Sequence, residues 1–289
     1  MEINRIEYPG SPRSYECRIG KGRLVICADF GPRILSLSAA DGPNVLFVDE
    51  KRRIARGDWY LYGGHRLWVA PETEATYSPD NDPCRVDIEG GRITVTAADQ
   101  ALKLEKSITV SENEGNFVIT HTVVNRGETL MAGAIWALTC VVPSGTTFFP
   151  WGTGGAWDLK GAVYWHKWMG HTTNLKSPQF VPTDDLFLIR PDGSEGKVGT
   201  AGHGGFIGVT TEDWTFIKRF DRHPAAPYPD EGCAIQCYTC PDFVELETLS
   251  PLVTLLPGVS ASHVEGWIIS DGPIDPVDGA AVRRLVSGR

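Results

Sequence analysis

The chain has 289 residues, with 27 lysines and arginines against 36 aspartates and glutamates, a formal charge of −9. That length is enough to bury a sizeable core, and an acidic chain without basic runs argues against nucleic acid or an anionic membrane surface as a partner. Hydrophobic residues at 42% and charged residues at 22% exclude disorder as the overall class. The start, Met1 to Glu7, lacks the basic-then-apolar pattern of a signal peptide, and no apolar run approaches a membrane span. Seven cysteines do not frame a disulfide scaffold, so we expect a soluble, cytoplasmic protein with reduced thiols.

In chain order, short β segments alternate with turns. Gly22 to Asp29 and Arg33 to Ala39 come first, the second with Ile34, Leu35 and Leu37 against Ser36 and Ser38. Arg85 to Ile88, Gly91 to Ala97, Leu102 to Val110 and Phe117 to Asn125 follow, the last rich in β-branched residues. Further strands are expected at Gly133 to Val142, Leu186 to Ile189, Phe206 to Thr210, Thr215 to Phe220, Ala234 to Tyr238, Phe243 to Leu249 and Ser262 to Ser270. Asp41-Gly42-Pro43, Glu89-Gly90-Gly91, Asn113-Glu114-Gly115 and Pro191-Asp192-Gly193 mark turns between them. Only Val277 to Val286 reads as helix. Strands at this spacing without intervening helices predict an all-β sandwich or barrel of antiparallel sheets. No linker or composition shift divides the chain, which predicts one domain over residues 1–289.

Four clusters could carry chemistry. Tyr60 to Glu72 combines Gly63 and Gly64 with His65, Arg66, Trp68 and Glu72. Read as a loop, the glycines allow close approach of a ligand, Arg66 offers paired donors and Trp68 a flat face for a sugar ring. The plainer alternative is a turn with a surface His-Arg pair and a core Trp. Phe148 to Trp168 carries seven aromatics, among them Trp151, Trp157 and Trp165, beside Asp158 and His166, broken by glycines. It reads as a binding wall or as a roof over the core. In Asp242 to Pro251, Glu245 and Glu247 share one face of a strand, and close like charges would raise one pKa toward a general acid or base. The alternative is a solvated face of an edge strand. Cys233, Cys237 and Cys240 match a cluster-binding spacing, but a strand there points Cys240 away from the other two. No metal spacing, P-loop or nucleophile elbow is present, so neither metal nor cofactor is expected. The aromatics favour an uncharged or mildly acidic polyhydroxylated small molecule.

Gly63-Gly64-His65-Arg66-Leu67-Trp68-Val69-Ala70-Pro71-Glu72, Thr122 to Gly127, and Val244-Glu245-Leu246-Glu247 followed by Leu255-Leu256-Pro257-Gly258 resemble, in that order, blocks of the aldose 1-epimerase (galactose mutarotase-like) superfamily. The Gly-Gly-His-Arg-Leu-Trp form is most similar to a bacterial branch of it. The resemblance implies a β-supersandwich with a carbohydrate cleft across one sheet, and a glutamate base and histidine acid that open and reclose a pyranose ring. By position the base is Glu247 or Glu245. The strand that carries the superfamily's histidine reads Ala132 to Thr139 here and has none, so His65 or His166 stands in for it. Arg66, Trp68, Glu72, Trp151, Trp157, Trp165 and His166 would position the sugar. Two other functions remain open: a non-catalytic sugar-binding or sensing module, and a glycoside hydrolase or lyase built on the paired carboxylates.

Overall fold

The computed structural model describes residues 1–152, 161–168 and 171–287. Among them, two large antiparallel sheets face each other. One runs in the order Glu2–Tyr8, Ser11–Ile19, Gly22–Cys27, Arg33–Ala39, His65–Ala70, Met131–Val141, Val244–Leu249, Ile235–Thr239, Gly196–Thr200 and Val163–Trp165, with Val253–Leu255 paired to the start of Met131–Val141. The other runs Phe180–Pro182, Leu186–Ile189, Thr146–Pro150, Phe206–Thr210, Trp214–Phe220, Ser260–Asp271, Asn116–Asn125, Leu104–Asn113, Arg92–Asp99 and Arg85–Glu89. Leu24, Ile26, Ile34, Phe117, Phe216 and Trp267 pack in the core between them. This is the expected all-β sandwich. No helix among the described residues is long and apolar enough to cross a membrane. The Gly279–Ser287 helix lays Val282 against Phe148, Leu186 and Ile268 on the outside of the second sheet.

Arg33–Ala39, Leu186–Ile189 and Phe206–Thr210 form with the predicted ends. Two departures matter. The first two strands carry no clean alternation, because Glu2–Tyr8 lies at the sheet edge with a mostly solvated surface and a bulge between Ile6 and Tyr8 shifts its register. The second is a correction. His65–Ala70 is not a loop but a central strand, buried along its whole length, as a strand between two others must be. Gly63 and Gly64, at φ of +76° and +67°, turn the chain into it. A Cβ on either would lie 2.3 Å from the Phe47 carbonyl oxygen or 2.2 Å from that of Ile34. The glycines admit the protein's own backbone rather than a ligand.

Candidate functional site

Cross-strand partners face the same side of a sheet, so register fixes the site. Arg66 pairs with Leu138 and Trp68 with Trp136; Leu138 pairs with Glu247 and Cys140 with Glu245. Glu247 pairs with Gln236, Glu245 with Tyr238, and Tyr238 with Lys197. All of these side chains therefore point away from the core, onto the outer face of the first sheet. Two adjoining hollows lie there. One, of about 220 Å³, is walled by Trp59, Trp68, Tyr77, Phe243, Arg66 and Glu245. The next, of about 380 Å³, is walled by Arg56, Glu74, His166, Lys167, Asp230 and Gln236. Glu72, Tyr77, Trp136 and Lys197 border both.

The aromatic wall is a mutually packed group. Trp68 lies 5.7 Å from Trp59, 5.2 Å from Tyr77 and 5.6 Å from Trp136 between ring centres. The Arg66 guanidinium stacks 4.3 Å over Trp68 and donates to Glu245 at 2.7 Å. Glu245 and Glu247 share a face as predicted, but the strand is central and both are buried, which removes the reading as a solvated edge. The two carboxylates sit in different company. Glu245 is clamped by Arg66. Glu247 accepts from Trp136 Nε1 at 2.8 Å and from Lys197 Nζ at 3.2 Å, while its Oε1 has no partner among the described residues. Burial pushes its carboxyl up to about 7; Lys197 pulls it down, and Glu245 adds to the rise. Lys197 stays charged against its own burial because Glu247, Glu245 and Glu72 surround it. Glu247 itself is fully buried and lies beneath Lys197 and Trp136, which line both hollows and bond it.

His65 is on the reverse face, and the expectation that it would stand over the cleft is corrected. A strand alternates sides, so placing Arg66 and Trp68 in the cleft sends His65 and Leu67 inward. There it belongs to a buried polar network that ties the sheets together. His121 Nδ1 donates to the His263 carbonyl at 3.0 Å, which leaves its Nε2 to accept from His65 Nε2 at 2.7 Å. His65 Nδ1 in turn accepts from the Thr139 hydroxyl at 2.8 Å. Glu265 is held by Lys218 at 2.9 Å, by Trp267 Nε1 at 2.8 Å and by the Thr248 hydroxyl, which itself accepts from His263 Nε2 at 2.8 Å. His65, His121 and Glu265 offer donor atoms within 4.8 Å of one another. Those atoms are already paired, and the Lys218 ammonium supplies the cation, so the group fits a structural lock better than a metal site. Burial, with His121 and Lys218 nearby, keeps His65 neutral.

The other expected residues divide. Glu72, Arg66 and Trp68 line the cleft; His166 lines its second hollow, with Nε2 unpartnered among the described residues. Gly199 is what admits it, since a Cβ there would lie 2.7 Å from that nitrogen. Trp151 and Trp165 do not join them. Both pack edge-on against Phe187, and Trp151 Nε1 donates to the Thr183 carbonyl at 2.9 Å. Trp151 packs on the core, as the plainer reading has it, while Trp165 is 43% exposed at the edge of the sheet. Trp157 and Asp158 lie outside the described residues. Cys237 packs into the inter-sheet core and Cys240 on the cleft side with Trp59 and Phe243, so the cysteines diverge. Lys197, Trp136, Gln236, Tyr238, Trp59 and Tyr77 do not stand out in the sequence. The one signal there is polarity in apolar strands: Lys197 beside Val198, and Gln236 between Ile235 and Cys237.

No protein-family model matches the chain, and no curated protein matches it significantly. Solved structures do resemble it. A protein of Escherichia coli K12, provisionally named an aldose 1-epimerase, is 12% identical with a TM-score of 0.60, over 89% of this chain and 99% of that one. One of Klebsiella pneumoniae, named likewise, is 11% identical with a TM-score of 0.58, over 99% of this chain and 86% of its own. A galactose mutarotase-like protein of Lactobacillus casei is 12% identical with a TM-score of 0.57, over 89% of this chain and 100% of its own. At these identities the likeness concerns architecture, and the chain has the galactose mutarotase-like fold.

Proposed function

We propose that the cleft binds a carbohydrate and that the chain interconverts its anomers, as an aldose 1-epimerase does. One observation carries this reading: Glu247, a buried carboxyl pushed up to about 7 with an unpartnered oxygen, is bonded to Trp136 and Lys197, the floor of a cleft walled by indoles. Ring opening and closing use the same groups with roles exchanged, so a group that both takes and returns a proton near neutral pH suits the task. Glu247 takes the proton of the anomeric hydroxyl. The C1–O5 bond breaks, and the ring oxygen takes a proton from the Lys197 ammonium, which borders both hollows and stays charged. Rotation about C1–C2 and the reverse steps give the other anomer. Aromatic faces hold the C–H side of the pyranose, and Arg66, Glu245 and Glu72 are placed for its hydroxyls.

The interior position of His65 favours a second reading, a sugar-binding module without turnover. NMR exchange between α and β anomers, across aldohexoses, pentoses and uronic acids, decides between them. Acceleration over buffer that disappears in Glu247→Gln supports the enzyme. Binding without acceleration supports the module. Neither binding nor acceleration removes the carbohydrate assignment.

A further inference from the structure

The two hollows differ in chemistry, and the difference bears on what enters them. The first is aromatic. The second is polar and electrically balanced: Arg56, Lys167 and Lys197 stand against Glu72, Glu74 and Asp230. Most of these charges are already used. Arg56 donates to Glu74 at 2.5 Å, Lys197 to Glu247 at 3.2 Å, and the Tyr77 hydroxyl donates to Glu72.

What the second hollow lacks is hydrogen-bond donors from a ligand. Gln236 is fully buried and lines it. Its Nε2 donates to Asp230 at 2.6 Å, which fixes the amide orientation, because the flipped amide would set oxygen against carboxylate. Its Oε1 is left with no partner among the described residues. Asp230 is held in place by a strained turn, with Asp230 and Glu231 at φ of 50° and 63° and Gly232 at 88°. The unpartnered His166 Nε2 is a second open position, on an imidazole that burial and Lys197 keep neutral. A buried acceptor without a donor costs about 1–3 kcal/mol, so these atoms are completed by whatever binds. A hydroxyl donates to Gln236 and either donates to or accepts from His166. A phosphate or carboxylate has no proton to give Gln236 and would face Asp230.

We infer that the second hollow is a subsite for a neutral, hydroxyl-bearing unit linked to the sugar in the first, so that the preferred ligand is an uncharged disaccharide rather than a free hexose, a hexose phosphate or a uronate. The inference rests on the carbohydrate reading above and specifies its substrate class. The two units meet at Glu72, Tyr77, Trp136 and Lys197, the residues common to both hollows. Each hollow alone, at about 220 and 380 Å³, is of the order of one small ligand.

Isothermal titration of the whole chain with glucose, galactose, maltose, cellobiose, lactose, glucose 6-phosphate and glucuronate tests this. At least one neutral disaccharide is expected to bind at least tenfold tighter than either hexose, with the two anions weaker than glucose. Gln236→Met should weaken the disaccharide about fivefold more than the hexose, the loss of one hydrogen bond. A hexose that binds as tightly as every disaccharide overturns the inference and leaves the carbohydrate reading standing. An anion that binds tightest overturns it too. If none of the seven binds, both fall together.

Discussion

His65 and Arg66 are neighbours in sequence and face opposite sides of one sheet: the imidazole bonds His121 of the second sheet at 2.7 Å, and the guanidinium bonds Glu245 on the outer face at 2.7 Å. Two residues that look like one catalytic pair in the sequence thus do different work. His65 joins the sheets, and Arg66 builds the cleft. The distinction follows from strand alternation once the segment is known to be a strand.

The Glu247 carboxyl sets the pH dependence of the proposed reaction. A base works in its ionised form, so the rate of anomer exchange should rise with pH through about 7 and level off above it. Stability moves the other way. A carboxyl whose pKa is raised by folding binds more protons folded than unfolded, so its contribution is full below the unfolded value near 4.5 and is lost as pH rises to about 7. Glu247→Gln, which does not titrate, should therefore gain in melting temperature relative to the parent chain between those limits. A difference independent of pH would refute this placement of the carboxyl.

The Arg66–Glu245 pair is buried on both sides, so breaking it should cost more than removing it. Arg66→Met leaves Glu245 as an uncompensated buried charge and should destabilise by about 3–5 kcal/mol in urea unfolding. The double variant Arg66→Met with Glu245→Met should recover a large part of that loss. Strict additivity of the two single effects would show that the pair is not coupled in solution.

The fold was legible where alternation was clean. Arg33–Ala39 sets Ile34, Leu35 and Leu37 against Ser36 and Ser38, while Phe206–Thr210 was legible as a short apolar run after Gly204 and Gly205. His65–Ala70 was not, because two charged or titratable side chains, His65 and Arg66, open it and its two leading glycines imitate a ligand loop. For the site, Glu245 and Glu247 stood out as two carboxylates on one side of an apolar strand. Their partners did not, since Lys197 and Trp136 come from strands distant in sequence and meet Glu247 only through the register of the sheet. Trp151 and Trp165 show the converse: aromatic density marks ring-on-ring packing, here against Phe187, without saying that the rings face a cleft.

The interior network should make the protein acid-sensitive well above the pH at which carboxylates titrate. Burial drives His263 down to about 3, so at pH between about 3 and 6.5 the unfolded chain binds the extra proton and stability falls as pH falls. Glu265, lowered to about 2 because Lys218, His121 and His263 outweigh its burial, adds a second loss as pH drops below about 4.5. A tenfold change in a group's proton affinity on folding corresponds to roughly 1.4 kcal/mol. In the Glu247→Gln background, which removes the opposing contribution of that carboxyl, urea midpoints measured from pH 7 to pH 4 should fall steadily. In His263→Gln the slope above pH 5 should be shallower, whatever its stability at pH 7. An unchanged slope would place the histidine titration elsewhere.

Trp136 offers a test of the cleft that leaves the Glu247 carboxylate in place. Its indole N–H donates to Glu247 Oε2 at 2.8 Å, and that bond favours the ionised form. Trp136→Phe keeps an aromatic ring against Trp68 and removes only the donor. Without it the carboxyl should titrate at higher pH, so the rate profile should move toward alkali and activity at pH 7 should fall, while the plateau at high pH survives in large part. The opposite sign, an acid shift, would mean that Glu247 is not the titrating base. A collapse of the plateau with no shift would mean that Trp136 acts only by holding the ligand.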